Sequence, residues 1–154
     1  MKIPEVMQSF IEIGDIHADR LEKALRHISH RVPFQALDMN KFADDELSYM
    51  EMMTSRFAKL QDILGAKVFP LLLQHLQESR SDDSGLDRLH KLEKLGILPS
   101  AQEWIMMREL RNHITHEYPD NPELMASNLN KTVEYAKKFM LFWQQLKATI
   151  KAIP

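Results

Sequence analysis

The chain has 154 residues, 44% hydrophobic and 27% charged, which fits one globular domain over residues 1–154 with a substantial core. The absence of cysteine excludes disulfides, zinc ribbons and thiol chemistry, and a reducing cytoplasm is the expected compartment. A net charge of −2 argues against non-specific attraction of nucleic acid to the surface as a whole, so any such activity needs a local site.

The chain carries only 4 glycines and 7 prolines, and strand-like alternation is hard to find. Ile3, Met7, Phe10, Leu21, Leu25 and Ile28 recur at helical spacing, so a first helix is expected from about Pro4 to Ile28. "RVPFQALDMN" breaks it at Pro33 and Asn40. A second, long helix is expected from about Asp44 to Glu78, with Leu47, Met50, Phe57, Leu64, Val68 and Leu71 inward and a kink at Pro70. Its "KVFPLLLQHL" run stops at His75, short of a membrane span, and no signal-peptide apolar block precedes it, so no membrane association is expected.

"SRSDDSG" reads as a polar loop, and "LDRLHKLEKLG" as a short helix stopped by Gly96. "SAQE" at residues 100–103 has capping-box spacing and opens a fourth helix carrying Trp104, Ile105, Met107, Leu110 and Ile114. That helix should end near Glu117, because Tyr118 precedes Pro119. Asn121 then caps a fifth helix, with Pro122 in its first turn and Leu129, Val133, Ala136, Met140, Trp143 and Ile150 along its stripe. With no internal repeat and no linker, the expected architecture is an all-α bundle of about five helices.

The chemistry concentrates in "RNHITHEYPDNPE", residues 111–123. Histidine titrates near neutrality and exchanges protons, whereas arginine stays charged and clamps phosphate oxygens. Arg111 and His116 in one cleft would suit metal-free attack on a phosphodiester. His116 would deprotonate the 2′-hydroxyl of RNA and Arg111 would stabilise charge building on the phosphate. On one straight helix the two point apart, being five residues from one another, so an unwound last turn or a second subunit is required. Arg111 and Tyr118, seven apart, share nearly one face.

Blander readings stand beside this one. Arg-Asn-His at a helix end complements the helix dipole, and Tyr118 could plug the bundle. His113 and His116 stand three apart, but His-Ile-Thr-His-Glu is not the metalloprotease pattern and no Glu-x-x-His pair appears, so no metal and no other cofactor is expected. "RHISHR" at residues 26–31 reads as dipole complementation or a solvated turn, and His17 and His75 as residues at the edge of the core.

Arg111, Asn112, His116 and Tyr118 resemble the signature of HEPN-domain proteins in their HepT-like branch: Arg, then commonly Asn or His, a His after four intervening residues, and a Tyr two further on. The motif's place before a long final helix, "SRFAKLQDILGAKVFP", and "LEKLGILPSAQEW" resemble the same branch, so the likeness covers most of the chain. The resemblance implies a helical bundle forming a two-fold homodimer in which the Arg and His of both subunits meet. It implies a metal-independent endoribonuclease, the toxin of a toxin–antitoxin pair, whose partner is a minimal nucleotidyltransferase that attaches AMP to the motif tyrosine. Carried over by position, Arg111 and His116 are catalytic, Asn112 supports the cleft, and Tyr118 is the modifiable residue. His113, inside the motif, and Asp62, on the second helix, are further supporting candidates. Two departures stand out, His113 within the motif and Pro119 directly after the tyrosine. Some relatives act only as the non-catalytic substrate-binding subunit of a nucleotidyltransferase, which is the alternative function.

Overall fold

The computed structural model of the chain describes residues 3–114 and 120–154. Helix α1 runs Glu5–Ile28, α2 Asp44–Ile63, α3 Phe69–His75, α4 Gly85–Lys94, α5 Ala101–Ile114 and α6 Pro122–Ala152. The architecture is an all-α bundle, with no strand among the described residues. Nor, among them, is any helix long and apolar enough to cross a membrane.

The helix ends follow local chemistry. Pro4 stands at the N-cap of α1, where its missing N–H costs nothing. Gly96 closes α4 at φ +75°, with Ile97 N–H donating to Leu92 O and Gly96 N–H to Glu93 O, the Schellman pattern. The Ser100 hydroxyl accepts from Glu103 N–H at 3.0 Å to open α5, and Asn121 Oδ1 accepts from Leu124 N–H at 3.0 Å to open α6. One box was not expected: Ser84, at the end of the polar loop, and Asp87, in the first turn of the expected helix, cap α4 reciprocally.

The long second helix is interrupted rather than simply kinked. A π-helical turn spans Leu64–Val68 between α2 and α3, with Phe69 N–H donating to Leu64 O, five residues back. Pro70 explains it, because proline has no N–H and its ring crowds the carbonyl four residues earlier. Widening the preceding turn relieves that crowding while the helix continues. The helix ends at His75, short of the expected Glu78, and Gln77 turns out at φ +60°.

The core gathers around aromatic rings from four helices. Phe57 of α2 meets Phe139 of α6 edge to face at 5.8 Å, Trp104 of α5 meets Phe139 at 5.7 Å, and Phe69 of α3 tilts against Trp104 at 4.8 Å. Such pairs add about 0.5–1.5 kcal/mol each beyond burial. Leu47, placed on the inward stripe, is instead exposed, whereas Met53, Leu60, Leu72 and Leu73 are fully buried.

Helix α1 meets α6 at Gly14. A Cβ there would lie 2.6 and 2.7 Å from Cζ2 and Cη2 of Trp143, a fully buried ring with nowhere to retreat. The contact is reinforced at its rim, where Asp15 Oδ1 accepts from Trp143 Nε1–H at 2.8 Å and from Lys147 Nζ at 2.7 Å.

The connection from α1 to α2 is held by two clamps. Asn130 of α6 pairs reciprocally with the backbone of Phe34, accepting from its N–H at 2.7 Å and donating to its carbonyl at 2.9 Å. "RHISHR" is more than a solvated turn: Arg31 donates to both oxygens of Glu46 and His30 Nε2 lies 2.9 Å from Glu46 Oε2. His27 stacks on Tyr49 at 4.1 Å. Glu46 also accepts from Ala43 N–H at 3.0 Å, so one carboxylate caps α2 and ties it to the end of α1. The Arg31 hydrogen bonds first, then the Ala43 amide, hold the Glu46 carboxyl far below the usual range. His17 is half-buried against Arg56 Nη1 at 3.0 Å, and burial, then Arg56 and Lys59, push its pKa down.

Two predictions follow from these contacts. Gly14→Ala should cost about 1–3 kcal/mol through overpacking against Trp143, and should lower Tm by several degrees in thermal unfolding. A neutral or stabilising result would show that α1 and α6 do not approach so closely. Glu46→Gln should lower Tm at neutral pH, and the deficit relative to wild type should shrink in acid. A carboxyl with a depressed folded pKa contributes stability above its unfolded pKa of about 4.3, and loses it as pH falls toward the folded value. A deficit that stays constant from pH 7 down to pH 2 would refute this role for Glu46.

Candidate functional site

Helix α5 buries Ala101, Trp104, Met107 and Leu110 at intervals of three, which turns Arg108, Arg111 and Asn112 away from the core. Its start is fixed from α4 as well, because Glu93 Oε2 accepts from Ala101 N–H at 2.6 Å. Arg111 lies in the last described turn, where a cation complements the helix dipole.

The guanidinium of Arg111 is not left to solvent. Its Nε donates to Asp62 Oδ1 at 3.0 Å and its Nη2 to Asp62 Oδ2 at 2.7 Å, a bidentate pair between α5 and the end of α2. These hydrogen bonds raise the Arg111 pKa further, against the lowering effect of burial. The third nitrogen, Nη1, lies 3.5 Å from Asn112 Oδ1, at the outer limit of a hydrogen bond. Arg111 is half-buried, whereas Asp62, Asn112 and His113 are exposed. The charge is therefore oriented from one side and open on the other.

The structure thus brings together Arg111, Asn112 and Asp62. His113 follows at the surface. His116 and Tyr118 lie outside the described residues, as does the expected end of this helix near Glu117. Among the described residues no group of three or more His, Asp or Glu side chains is arranged to hold a metal ion.

Reading the motif alone missed what lies beside it. The π turn begins two residues after Asp62, and with α4 and α5 it forms a groove of about 510 Å³ whose lining includes Asp62, Gly65, Arg88 and Arg108. A sequence signal for part of this existed, since Arg108 stands one helical turn before Arg111 and so on nearly the same face. Arg88 carried none, because its approach is made by packing of α4.

Comparison of the chain with protein-family models, curated proteins and solved structures finds no match.

Asp62→Ala should separate positioning from stability. The pair is largely solvent-exposed, so its removal should cost no more than about 1 kcal/mol and leave Tm nearly unchanged. The Arg111 Nε–H signal in NMR should nevertheless exchange faster and lose its dispersion. A loss of roughly 3 kcal/mol or more would mark the pair as a structural bond instead.

Proposed function

We propose that this chain is a HepT-like toxin: a metal-independent endoribonuclease working as a two-fold homodimer, restrained by a minimal nucleotidyltransferase antitoxin that attaches AMP to Tyr118. The observation that carries the reading is the bidentate hold of Asp62 on Arg111 at the head of the Arg-Asn-x-x-x-His-x-Tyr motif. An arginine kept for the dipole alone needs no fixed orientation. One held by two hydrogen bonds on its Nε edge presents its Nη1 edge in a set direction, which is what recognition of a phosphate oxygen requires.

In this mechanism His116 takes the proton from a ribose 2′-hydroxyl. The 2′-oxygen then forms a bond to the adjacent phosphorus, the bond from phosphorus to the 5′-oxygen breaks, and the departing oxygen takes up a proton. The products are a 2′,3′-cyclic phosphate and a 5′-hydroxyl. Arg111 stabilises the negative charge that builds on the phosphate oxygens in between, and Asp62 keeps it aimed without reorganisation. The five-residue spacing of Arg111 and His116 is answered by the dimer, in which the motifs of both subunits share one cleft. Regulation acts on the same place. The Tyr118 phenol attacks the α-phosphorus of ATP and pyrophosphate leaves. The resulting phosphodiester competes for Arg111 while its adenosine fills the cleft.

Expression of the chain alone in a bacterial host tests the reading. Wild type should arrest growth and cut cellular RNA to ends carrying cyclic phosphate, and His116→Ala should abolish both. Incubation with a cognate nucleotidyltransferase and ATP should add one AMP by intact mass, lost in Tyr118→Phe. An adduct on Tyr118 in a chain whose unmodified form cuts no RNA would overturn the nuclease and leave a substrate-presenting subunit.

A further inference from the structure

We infer that the groove between the π turn, α4 and α5 is a binding track for the phosphodiester backbone of a single nucleic-acid strand, with Arg108 and Arg88 holding the phosphates next to the one at Arg111. The inference rests on the nuclease reading for its biological meaning, but its geometry is independent of His116 and Tyr118.

Charge pairing points to this groove. Four cations elsewhere have carboxylate partners: Arg31 with Glu46, Lys91 with Asp83, Lys138 with Glu103 and Lys147 with Asp15. In the groove the one carboxylate, Asp62, is already taken by Arg111. Arg108 is exposed and makes no hydrogen bond or ion pair among the described residues. Arg88 donates only to the backbone carbonyl of Asp83, at 3.3 Å, and pairs with no carboxylate among the described residues. Two arginines, one from α4 and one from α5, therefore line a groove beside the candidate site with no carboxylate partner among the described residues, on a chain whose net charge is −2.

The shape favours a strand over a compact anion. At about 510 Å³ the groove exceeds what a lone phosphate needs, and its lining reaches Asp62, the partner of Arg111. Arg108 precedes Arg111 by three residues, about 4.5 Å along the helix axis, so their charges follow one line. Gly65 keeps the wall low: a Cβ there would lie 3.7 Å from Arg108 Nη1 and 3.5 Å from Trp104 Cζ2.

The floor determines what is read. Phe69 and Trp104 line the groove but are only 1% and 3% exposed, so neither offers a face for base stacking. Recognition falls to phosphates, which carry no sequence information. The track should accept RNA and DNA single strands of any sequence, and the 2′-hydroxyl should matter only for cleavage.

A labelled oligothymidylate is therefore the probe, because it lacks the 2′-hydroxyl and cannot be cut by this chemistry. Wild type should bind it with an affinity that falls steeply as salt rises, and oligodeoxyadenylate should bind alike. Arg108→Ala and Arg88→Ala should each weaken binding at least about tenfold and reduce the slope of log affinity against log salt by about 0.7. Arg108→Lys should restore the slope, and circular dichroism should show full helix content throughout. No binding by wild type at low salt, or alanine variants with unchanged affinity and slope, overturns the track. Variants that keep the oligonucleotide but lose a nucleotidyltransferase partner also overturn it, and make the groove a protein-docking surface. RNA cleavage is scored separately. Cutting with unaltered binding in the arginine variants removes the track and leaves the nuclease, whereas arginine-dependent binding without cutting removes the nuclease and leaves the track.

Discussion

A proline at position 70, inside an apolar helix, sets conditions that the neighbouring elements must meet. Proline cannot donate to the carbonyl four residues back and cannot lie close to it, so a regular helix through Pro70 would leave one acceptor unpaired and one contact too short. The chain answers with the π turn at Leu64–Val68. That answer begins two residues after Asp62 and changes which side chains leave the helix on each side of it. Upstream, Phe57 and Leu60 point into the core; downstream, Phe69, Leu72 and Leu73 do the same. Without an inserted residue, one continuous α-helix would bring those two sets out of phase. The local defect therefore keeps a single buried face running from Met50 to Leu73, and it places Asp62 and Gly65 opposite α5.

The same region carries an uncompensated cost. Gln61 is 1% exposed, and neither its Oε1 nor its Nε2 finds a hydrogen-bond partner. A buried polar group left unpaired costs about 1–3 kcal/mol. It stands directly before Asp62, three residues ahead of the π turn. The buried side chain left unpaired and the carboxylate that holds Arg111 thus occupy adjacent residues. Stability is conceded where α2 must also supply a carboxylate to Arg111, a pattern found where structure serves a site rather than only a core.

How far the sequence could be read depended on how local each interaction is. Pro4, Gly96, Ser100 and the Asn121–Pro122 pair each mark a helix end, because a cap is decided within four or five residues. The π turn was not readable: Pro70 announces a disruption, but whether the helix bends or widens depends on what packs against it. Leu47 fits the apolar period of α2 yet lies outside the core. "RHISHR" looks like a dipole cluster until Glu46, fifteen residues from Arg31, is seen to gather it. For the candidate site, the signature residues could be named from sequence order alone. The partnership of Arg111 with Asp62 spans 49 residues and has no periodic trace.

Net charge is the coarsest of these readings, and the groove shows why. A value of −2 describes the field far from the molecule, where opposite charges average out. At physiological salt, fields are screened over about 8 Å, so a strand at the surface responds to the few charges within that radius. At the groove those include Arg108 and Arg88, while Asp62, the one carboxylate in its lining, is already paired with Arg111. Asp15, Asp19 and Glu22 of α1 line a different groove. In the reading proposed above, an acidic chain that cuts the backbone it binds would take the strand in along this groove toward Arg111 rather than over its whole surface.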